Sequence, residues 1–311
     1  ELAAGRRVRG GNLRELMKIR TYGEMLFPIP GARPLAGSPE EIGRGLAALK
    51  IPEFLDRLHE GGGLYYYRLE VKGPMPLEKR GAFIRTVSDS LDEACPGRLC
   101  NAPADYEAEL RLLERRDGSF LPMLRLYTLA DQRFAYRKEA VAASIAPVNA
   151  ALTAALARGY LKESAQVLDP FCGVGTMLIE RHRLVPARSM YGVDLYGRAI
   201  EKARVNTEAA GCVIHYINRD FFDFSHEYLF DEIITDMPRI LGEEKRRELE
   251  RLYENFFAKA PEHLKEKGIL VLYTMEPGLV KRYSAREYEL LETFLINEKN
   301  DTRVMVLQRK K

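Results

Sequence analysis

The segment DPFCGVGT, residues 169–176, constrains the fold of this chain more than any other stretch. It follows the apolar run AQVL and precedes MLIER, so a strand leads into a tight loop and the loop into a helix. Gly173 and Gly175 let the backbone turn and approach a ligand closely, because neither carries a Cβ. The first N–H groups of the helix favour a carboxylate. The pattern predicts a cofactor loop that differs from the GxGxxG loop of dinucleotide folds.

Short β-rich runs alternate with helical stretches from residue 165 to the end of the chain. AQVLD, MYGVD, VIHYI, DEIITD and ILVLYT are predicted strands, and helical sequence separates them. Such alternation predicts a mostly parallel sheet with helices on both faces. YELLETFLI and TRVMVLQRK add two strands close enough to form an antiparallel hairpin. We therefore predict an α/β, Rossmann-like domain whose seven-stranded sheet ends in that hairpin.

The front half of the chain has a different pattern. Predicted strands lie at 65–73, 106–114 and 120–129, and helical stretches lie near 12–25, 39–60 and 78–94. This mixture predicts a separate α+β domain. We place the first domain at residues 1–138 and the second at 139–311, with a linker helix over 139–160 at the start of the second.

Composition excludes several classes of protein. Apolar residues make up 46% and charged residues 30% of the chain, and no run reaches the roughly 18 apolar residues of a membrane span. The four cysteines form no CxxC pair and no two histidines have metal-ligand spacing, so we expect reduced thiols, no metal and a cytoplasmic protein. Because the chain begins with Glu1, we expect a fragment whose natural start lies upstream.

The small net charge of +3 is unevenly distributed. Residues 1–140 hold 23 Lys and Arg against 20 Asp and Glu, and Arg outnumbers Lys there by 18 to 5. Arginine suits bidentate phosphate contacts, which would fit a nucleic-acid partner. An arginine-rich genome would give the same count, so both interpretations stay open.

Two acids follow successive strands after the glycine loop. Asp194 ends YGVD, where a carboxylate accepts hydrogen bonds from ribose hydroxyls in nucleotide-binding folds; the alternative role is a helix N-cap. Asp220 follows the next strand and can accept a hydrogen bond from an adenine amino group, with Phe221 packing on the ring. The alternative for this pair is a solvated loop acid beside a core aromatic residue.

A further acid, Asp236, lies in TDMPRI at the end of the fourth strand. In an open doubly wound sheet the ligand crevice lies at the carboxyl ends of the strands, so Asp236 is predicted to lie beside the reacting group. Its carboxylate can accept a hydrogen bond from an exocyclic amine and orient the nitrogen lone pair. Pro238 would stiffen this loop. An ordinary acidic turn is the alternative.

At these motifs the chain resembles the class I methyltransferases that act on exocyclic amines of nucleic-acid bases. More narrowly, it resembles the THUMP-domain RNA methyltransferases, which modify guanosine in tRNA or rRNA. Residues 129–157 look like the family's interdomain segment, DPFCGVGTMLIER like its cofactor loop and YGVD like its ribose-binding motif. The resemblance implies S-adenosylmethionine (SAM) as cofactor, S-adenosylhomocysteine as product and a ferredoxin-like or THUMP-like RNA-binding front domain.

The candidate site follows from these motifs and the resemblance. The predicted cofactor-binding residues are Asp169, Pro170, Phe171, Cys172, Gly173, Gly175, Thr176, Asp194, Leu195, Asp220, Phe221 and Asp236. The predicted catalytic residues are Asp236, Met237, Pro238 and Arg239. The family's fourth motif is Asp or Asn, two prolines and an aromatic residue, so Met237 and Arg239 depart from it.

Three functional interpretations remain open. The first is methyl transfer to a base amine, with the guanidinium of Arg239 stacking on the target base in place of the family's aromatic residue. The second is a methyltransferase of the same fold that acts on DNA or a small-molecule amine. The third is an inactive RNA-binding protein that retains the SAM pocket.

Overall fold

The computed structural model describes residues 15, 17–57, 63–126, 132–239, 242 and 245–311. The chain forms two compact units. One consists of Gly23–Ala130, and the other of Asp131–Lys311 together with Glu1–Tyr22. The division therefore falls near residue 130 rather than at 138, and the described residues before the front unit belong to the same unit as the glycine loop.

The front unit is an α+β fold. Its elements are β1 (Phe27–Pro28), α1 (Pro39–Ala47), α2 (Ile51–Asp56), β2 (Tyr65–Lys72), α3 (Leu77–Ala94), β3 (Leu99–Asn101), β4 (Ala108–Glu114) and β5 (Phe120–Leu126). The strand order in its sheet is β1-β5-β4-β2-β3, with β2 parallel to β3 and β4 and the other pairs antiparallel. Alternate residues of β2 are buried, as expected for a sheet with helices on one face.

The predicted helices of the front half differ from the observed ones. The stretch near 39–60 forms two helices, because Lys50 adopts a left-handed conformation (φ 52°) between them. Ser38 and Glu41 form a capping box that fixes the start of α1. Residues 19–25 contain no helix, and residues 12–14, 16 and 58–60 of the predicted stretches lie outside the described residues.

The second unit has the predicted α/β fold. Its elements are α4 (Pro147–Ala157), β6 (Gln166–Asp169), α5 (Thr176–Leu184), β7 (Ser189–Asp194), α6 (Gly197–Ala210), β8 (His215–Asn218), β9 (Phe230–Asp236), α7 (Arg246–Lys259), β10 (Leu264–Thr274), α8 (Pro277–Ser284), β11 (Tyr288–Asn297) and β12 (Thr302–Arg309). The strand order is β11-β12-β10-β9-β6-β7-β8. Strands β6 to β10 are parallel, and β12 pairs antiparallel with both β10 and β11. The terminal hairpin is confirmed.

Helix α4 is shorter than the predicted linker helix over 139–160. It begins at Pro147, and Ala146 before it is extended (ψ 139°). A residue that precedes proline is disfavoured in the α conformation, so the helix cannot extend backwards through Ala146. Residues 139–146 are accordingly not helical.

Apolar residues pack on both faces of the seven-stranded sheet. Consecutive side chains of β9 contribute to opposite faces, since Ile233 packs in one core cluster and Ile234 in the other. Helices α4 and α5 lie over the first cluster, and α7 over the second. Among the described residues, none of the helices has the length and apolar character that a bilayer crossing requires, and no group of three or more candidate metal ligands occurs.

Candidate active site

The glycine loop between β6 and α5 is hydrogen-bonded to the end of β7. The backbone N–H of Cys172 donates to the carbonyl of Val193 at 3.0 Å, and that of Gly173 donates to Oδ2 of Asp194 at 2.8 Å. The N–H of Gly175 donates to the carbonyl of Cys172 at 2.8 Å and closes the turn. These bonds hold the glycine loop and Asp194 together at the carboxyl edge of the sheet.

The two glycines of this loop have different environments. Both have positive φ, 51° at Gly173 and 80° at Gly175. A Cβ on Gly173 would meet nothing within 4 Å, so open space borders the backbone there. A Cβ on Gly175 would lie 2.1 Å from the Tyr216 hydroxyl oxygen, which is hydrogen-bonded to Thr207 at 2.7 Å. The structure therefore leaves open space beside Gly173, whereas protein packing excludes a side chain at Gly175.

Asp169 at the end of β6 is buried and experiences the charges of the other acids. Its pKa is raised to about 7, mainly by burial and to a smaller extent by the carboxylates of Asp194 and Asp236. The backbone N–H of Phe171, 3.1 Å from Oδ1, acts in the opposite direction. The structure thus brings three predicted acids, from the ends of β6, β7 and β9, into one electrostatic site.

Asp194 is held by two backbone donors. Oδ1 accepts a hydrogen bond from the N–H of Tyr196 at 2.9 Å, and Oδ2 accepts the bond from Gly173. A carboxylate has about four acceptor positions, so two stay available for ribose hydroxyls. The neighbouring Leu195 is 58% exposed.

Asp220 and Phe221 occupy a short 3₁₀ turn after β8. Oδ1 of Asp220 accepts the N–H of Phe222 at 3.0 Å and caps this turn. The ring of Phe221 is 2% exposed and packs against the rings of Phe171 and Phe256. The expectation that Phe221 packs on an adenine ring is therefore corrected, because its faces contact the core instead.

The two carboxylate oxygens of Asp236 have different partners. Oδ2 accepts a hydrogen bond from Nη2 of Arg239 at 3.2 Å. Oδ1 is buried and has no hydrogen-bond partner among the described residues. Burial raises the pKa of Asp236 to about 6, and the charge of Arg239 opposes that rise. An unpaired buried acceptor is costly, so Oδ1 fits a hydrogen-bond donor supplied by a ligand.

The three residues that follow Asp236 in the fourth motif differ in burial, from Met237 in the core to Arg239 at the surface. The Met237 side chain is 2% exposed within the core, so its predicted catalytic role is corrected to a packing role. Its backbone N–H donates to the carbonyl of Tyr273 at 3.0 Å and extends the β9–β10 pairing by one residue. Proline has no N–H, so it could not make this bond. Pro238 is half-buried and Arg239 is exposed.

The remaining predicted loop residues are mostly buried. Pro170 is buried, Phe171 is half-buried, and burial raises the pKa of the Cys172 thiol, which accords with packing rather than nucleophilic chemistry. The hydroxyl of Thr176, the first residue of α5, is buried without a partner in the described part of the chain. Like Oδ1 of Asp236, it is a buried polar atom of this site that lacks a hydrogen-bond partner among the described residues.

One residue that supports the loop was missed by the sequence analysis. Asn206 of α6 is fully buried, and its amide donates to the carbonyls of Val174 and Glu139 at 3.1 and 3.0 Å. Its Oδ1 accepts the N–H of Glu139 at 2.9 Å. A single asparagine in a polar helix carries no sequence signal that distinguishes it, so only the structure identifies it.

The fold and the site together define a Rossmann-like methyltransferase. The seven-stranded sheet has the order given above, the glycine loop follows β6, and Asp194, Asp220 and Asp236 lie at or just after the ends of β7, β8 and β9. The profile of one protein family, UPF0020, described as the RMKL-like methyltransferase domain, matches residues 137–301. The chain belongs to this family.

Two curated relatives bear tRNA-modifying names. The tRNA (guanine(6)-N2)-methyltransferase of Thermus thermophilus is 28% identical over 262 residues, which cover 81% of this chain and 73% of that protein. The tRNA (guanine(10)-N2)-dimethyltransferase of Methanothermobacter thermautotrophicus is 31% identical over 134 residues, or 41% of this chain. The match spans only 39% of the length of that archaeal relative.

Solved structures share the fold. TrmN from Thermus thermophilus superposes with a TM-score of 0.69 at 24% identity, over 98% of this chain and 88% of that one. A putative methyltransferase, SMU.472, in complex with S-adenosylhomocysteine gives a TM-score of 0.57 at 18% identity, over 91% of this chain and 82% of that one. At this level of identity the comparison establishes the fold.

Proposed function

We propose that this protein transfers a methyl group from SAM to the exocyclic N2 amine of a guanosine in tRNA or rRNA. The observation that carries the proposal is Asp236 at the end of β9, whose Oδ1 is buried and has no hydrogen-bond partner in the part of the chain that the structure describes. The names of the two relatives, which both specify guanine N2, support the substrate.

The residues around the glycine loop fit SAM. Open space borders Gly173, and the unused hydroxyl of Thr176 lies at the start of α5, where helix N–H groups favour the carboxylate of a methionine moiety. Asp194 retains acceptor capacity for ribose hydroxyls, and Asp220 would accept a hydrogen bond from the adenine amino group. When bound, SAM supplies an electrophilic methyl group.

Asp236 performs the positioning and the proton transfer in this proposal. Its Oδ1 accepts one N–H of the guanosine amine, and this bond orients the nitrogen lone pair for attack. The N–CH₃ bond forms as the S–CH₃ bond breaks, and the amine proton passes to the carboxylate. A pKa of about 6 lets Asp236 take up that proton and release it to solvent at neutral pH.

The front unit and Arg239 would hold the RNA. We assign the unit Gly23–Ala130 to a THUMP-like RNA-binding role, as the resemblance implies. The side chain of Arg239 is 39% exposed and can stack its guanidinium plane on a base that enters beside Asp236. An RNA substrate also supports a cytoplasmic location.

Methyl transfer from labelled SAM to unmodified tRNA and rRNA, followed by nucleoside analysis, tests the proposal. We expect N2-methylguanosine from the wild type and none from Asp236→Ala. Product on DNA or free nucleosides alone would favour the second interpretation. RNA binding without transfer would favour the inactive binding protein, for which the Asp236–Arg239 ion pair is the supporting observation.

RNA capture by the front unit has its own test. Phosphate contacts release counterions, so the affinity for tRNA should fall steeply as salt rises from about 50 to 200 mM. The Kd for SAM should change much less over the same range, because SAM carries no phosphate groups. An RNA affinity that is independent of salt would contradict an arginine-mediated phosphate interface.

A further inference from the structure

Residues 17–22, which precede the front unit, are bound to the helix that begins at the cofactor loop. The guanidinium of Arg20 forms two parallel hydrogen bonds with Glu180 of α5, Nε to Oε2 at 2.7 Å and Nη2 to Oε1 at 2.6 Å. The two residues are 160 positions apart in sequence. The Glu180 side chain is 1% exposed, so this is a buried, bidentate ion pair.

Arg133, which follows the front unit in the chain, also binds residues 17–22. Nη1 of Arg133 donates to the carbonyls of Ile19 and Tyr22, both at 2.9 Å, while Nη1 of Arg20 donates to the carbonyl of Arg133. The guanidinium of Arg133 also lies 3.6 Å from the ring centroid of Tyr22. Residues 19–22, which precede the front unit, and Arg133, which follows it, are therefore bound to each other.

Glu180 is well placed to affect the cofactor loop. It lies one helical turn after Thr176, and a turn of helix is a rigid connection of about 6 Å. The next residue, Arg181, is also buried and donates from Nε and Nη2 to Oε2 of Glu232 in β9 at 2.9 and 2.6 Å. Helix α5 is thus held on one side by the sheet and on another by Arg20.

We propose that Arg20 is a positioning residue of the SAM site, which acts through Glu180 on the first turn of α5 and the glycine loop. The inference rests on the proposed function, since it assumes that SAM binds at this loop. Loss of Arg20 would remove the two hydrogen bonds that anchor Glu180, and with it α5, to residues 17–22, so the start of the helix would no longer be held in place. The loop at its start would then lose its alignment.

Calorimetry with SAM and the full chain tests this role. We expect Arg20→Met to raise the Kd for SAM by about 10- to 100-fold, by analogy with the loss of residues that support the ligands of a metal site. The KM for RNA and the kcat at saturating SAM should stay near wild-type values. Lys18→Met is the matched control, because Lys18 lies in the same segment and pairs only with Glu15 at the surface in the described structure.

Two further variants separate positioning from folding. Arg20→Lys keeps the charge but loses the bidentate geometry, so its Kd should lie between those of the wild type and Arg20→Met. The double variant Arg20→Met, Glu180→Leu has no unpaired buried charge and should fold well, yet its Kd should stay raised. A wild-type Kd in the folded double variant overturns the proposal. Absence of SAM binding by the wild type instead overturns the proposed function.

Discussion

Arg239 Nη2 lies 3.2 Å from Asp236 Oδ2, so one oxygen of the candidate catalytic acid is already paired, while Oδ1 has no hydrogen-bond partner among the described residues. Arg239 stands where the resembled family has an aromatic residue. Arg239 therefore adds a cation that pairs with Oδ2 of Asp236 and leaves the buried Oδ1 for the substrate.

Removal of the Asp236 carboxylate should abolish most of the methyl transfer. Loss of one positioning contact typically costs about 2.7–4 kcal/mol of transition-state stabilisation, so Asp236→Ala should lower kcat by about 100- to 1,000-fold. Asp236→Asn keeps a carbonyl acceptor but cannot take the amine proton, so its kcat should lie between those of Asp236→Ala and the wild type. Single-turnover assays with saturating SAM measure both, and calorimetry should show nearly unchanged SAM affinity. Full activity of Asp236→Ala would mean that the methyl group is transferred elsewhere.

The rate should depend on pH through Asp236. Its pKa is raised to about 6, so the carboxylate becomes protonated as pH falls through 6 and loses its capacity to take the amine proton. We expect kcat at saturating SAM to fall below about pH 6 in the wild type. Asp236→Asn cannot titrate, so its profile should be flat there. An identical acidic limb in both proteins would assign that limb to another group.

Arg239 should affect both the pKa of Asp236 and substrate binding. Arg239→Met removes the charge that opposes the burial effect, so the acidic limb of kcat should move to higher pH. Arg239→Tyr should show the same shift but regain part of the RNA affinity, because its ring can stack on the target base. If neither variant changes the profile, the ion pair does not persist in the substrate complex.

Asp194 should contribute to SAM affinity in two ways, through the ribose and through the loop. Asp194→Ala removes the acceptor of the Gly173 N–H, so we expect SAM binding to weaken by at least about tenfold, or 1.4 kcal/mol. Asp194→Asn can still accept from Gly173 and should bind SAM better than the alanine variant. Equal affinity of Asp194→Ala and the wild type would remove Asp194 from the cofactor site.

Substitution of the two loop glycines by alanine should lower the free energy of unfolding by different amounts. Gly175→Ala places a Cβ 2.1 Å from the Tyr216 hydroxyl, and overpacking of this kind costs about 1–3 kcal/mol in addition to the backbone strain. Gly173→Ala brings only the strain of a positive φ, about 1–2 kcal/mol. Thermal unfolding should rank Gly175→Ala as the less stable protein.

Tyr216→Phe provides the control for that clash. The phenylalanine lacks the hydroxyl that a Cβ would meet, so Gly175→Ala should cost less free energy of unfolding in the Tyr216→Phe background than in the wild type. A double-mutant cycle isolates this coupling. Additive effects would show that the Gly175 position is limited by backbone strain alone.

The sequence by itself determined the architecture and the order of the site. Strand-helix alternation, the glycine loop and the closing hairpin each depend on residues close together in the chain, so their periodicity and spacing are sufficient to predict the seven-stranded sheet. The acids after β6, β7 and β9 meet because parallel strands end at one edge, which follows from topology alone. Residues such as Asp169, Asp194 and Asp236 could therefore be identified before the structure.

Only the tertiary structure decided which side chains face the ligand and which support the loop. Phe221 and Met237 follow acids in the chain but face the core, because partners from α7 and β10 cover them. Arg20 reaches Glu180 across 160 residues, and Asn206 reaches Val174 from another helix. Such contacts depend on how distant elements pack, and no local pattern encodes the burial and geometry that give these polar groups their partners.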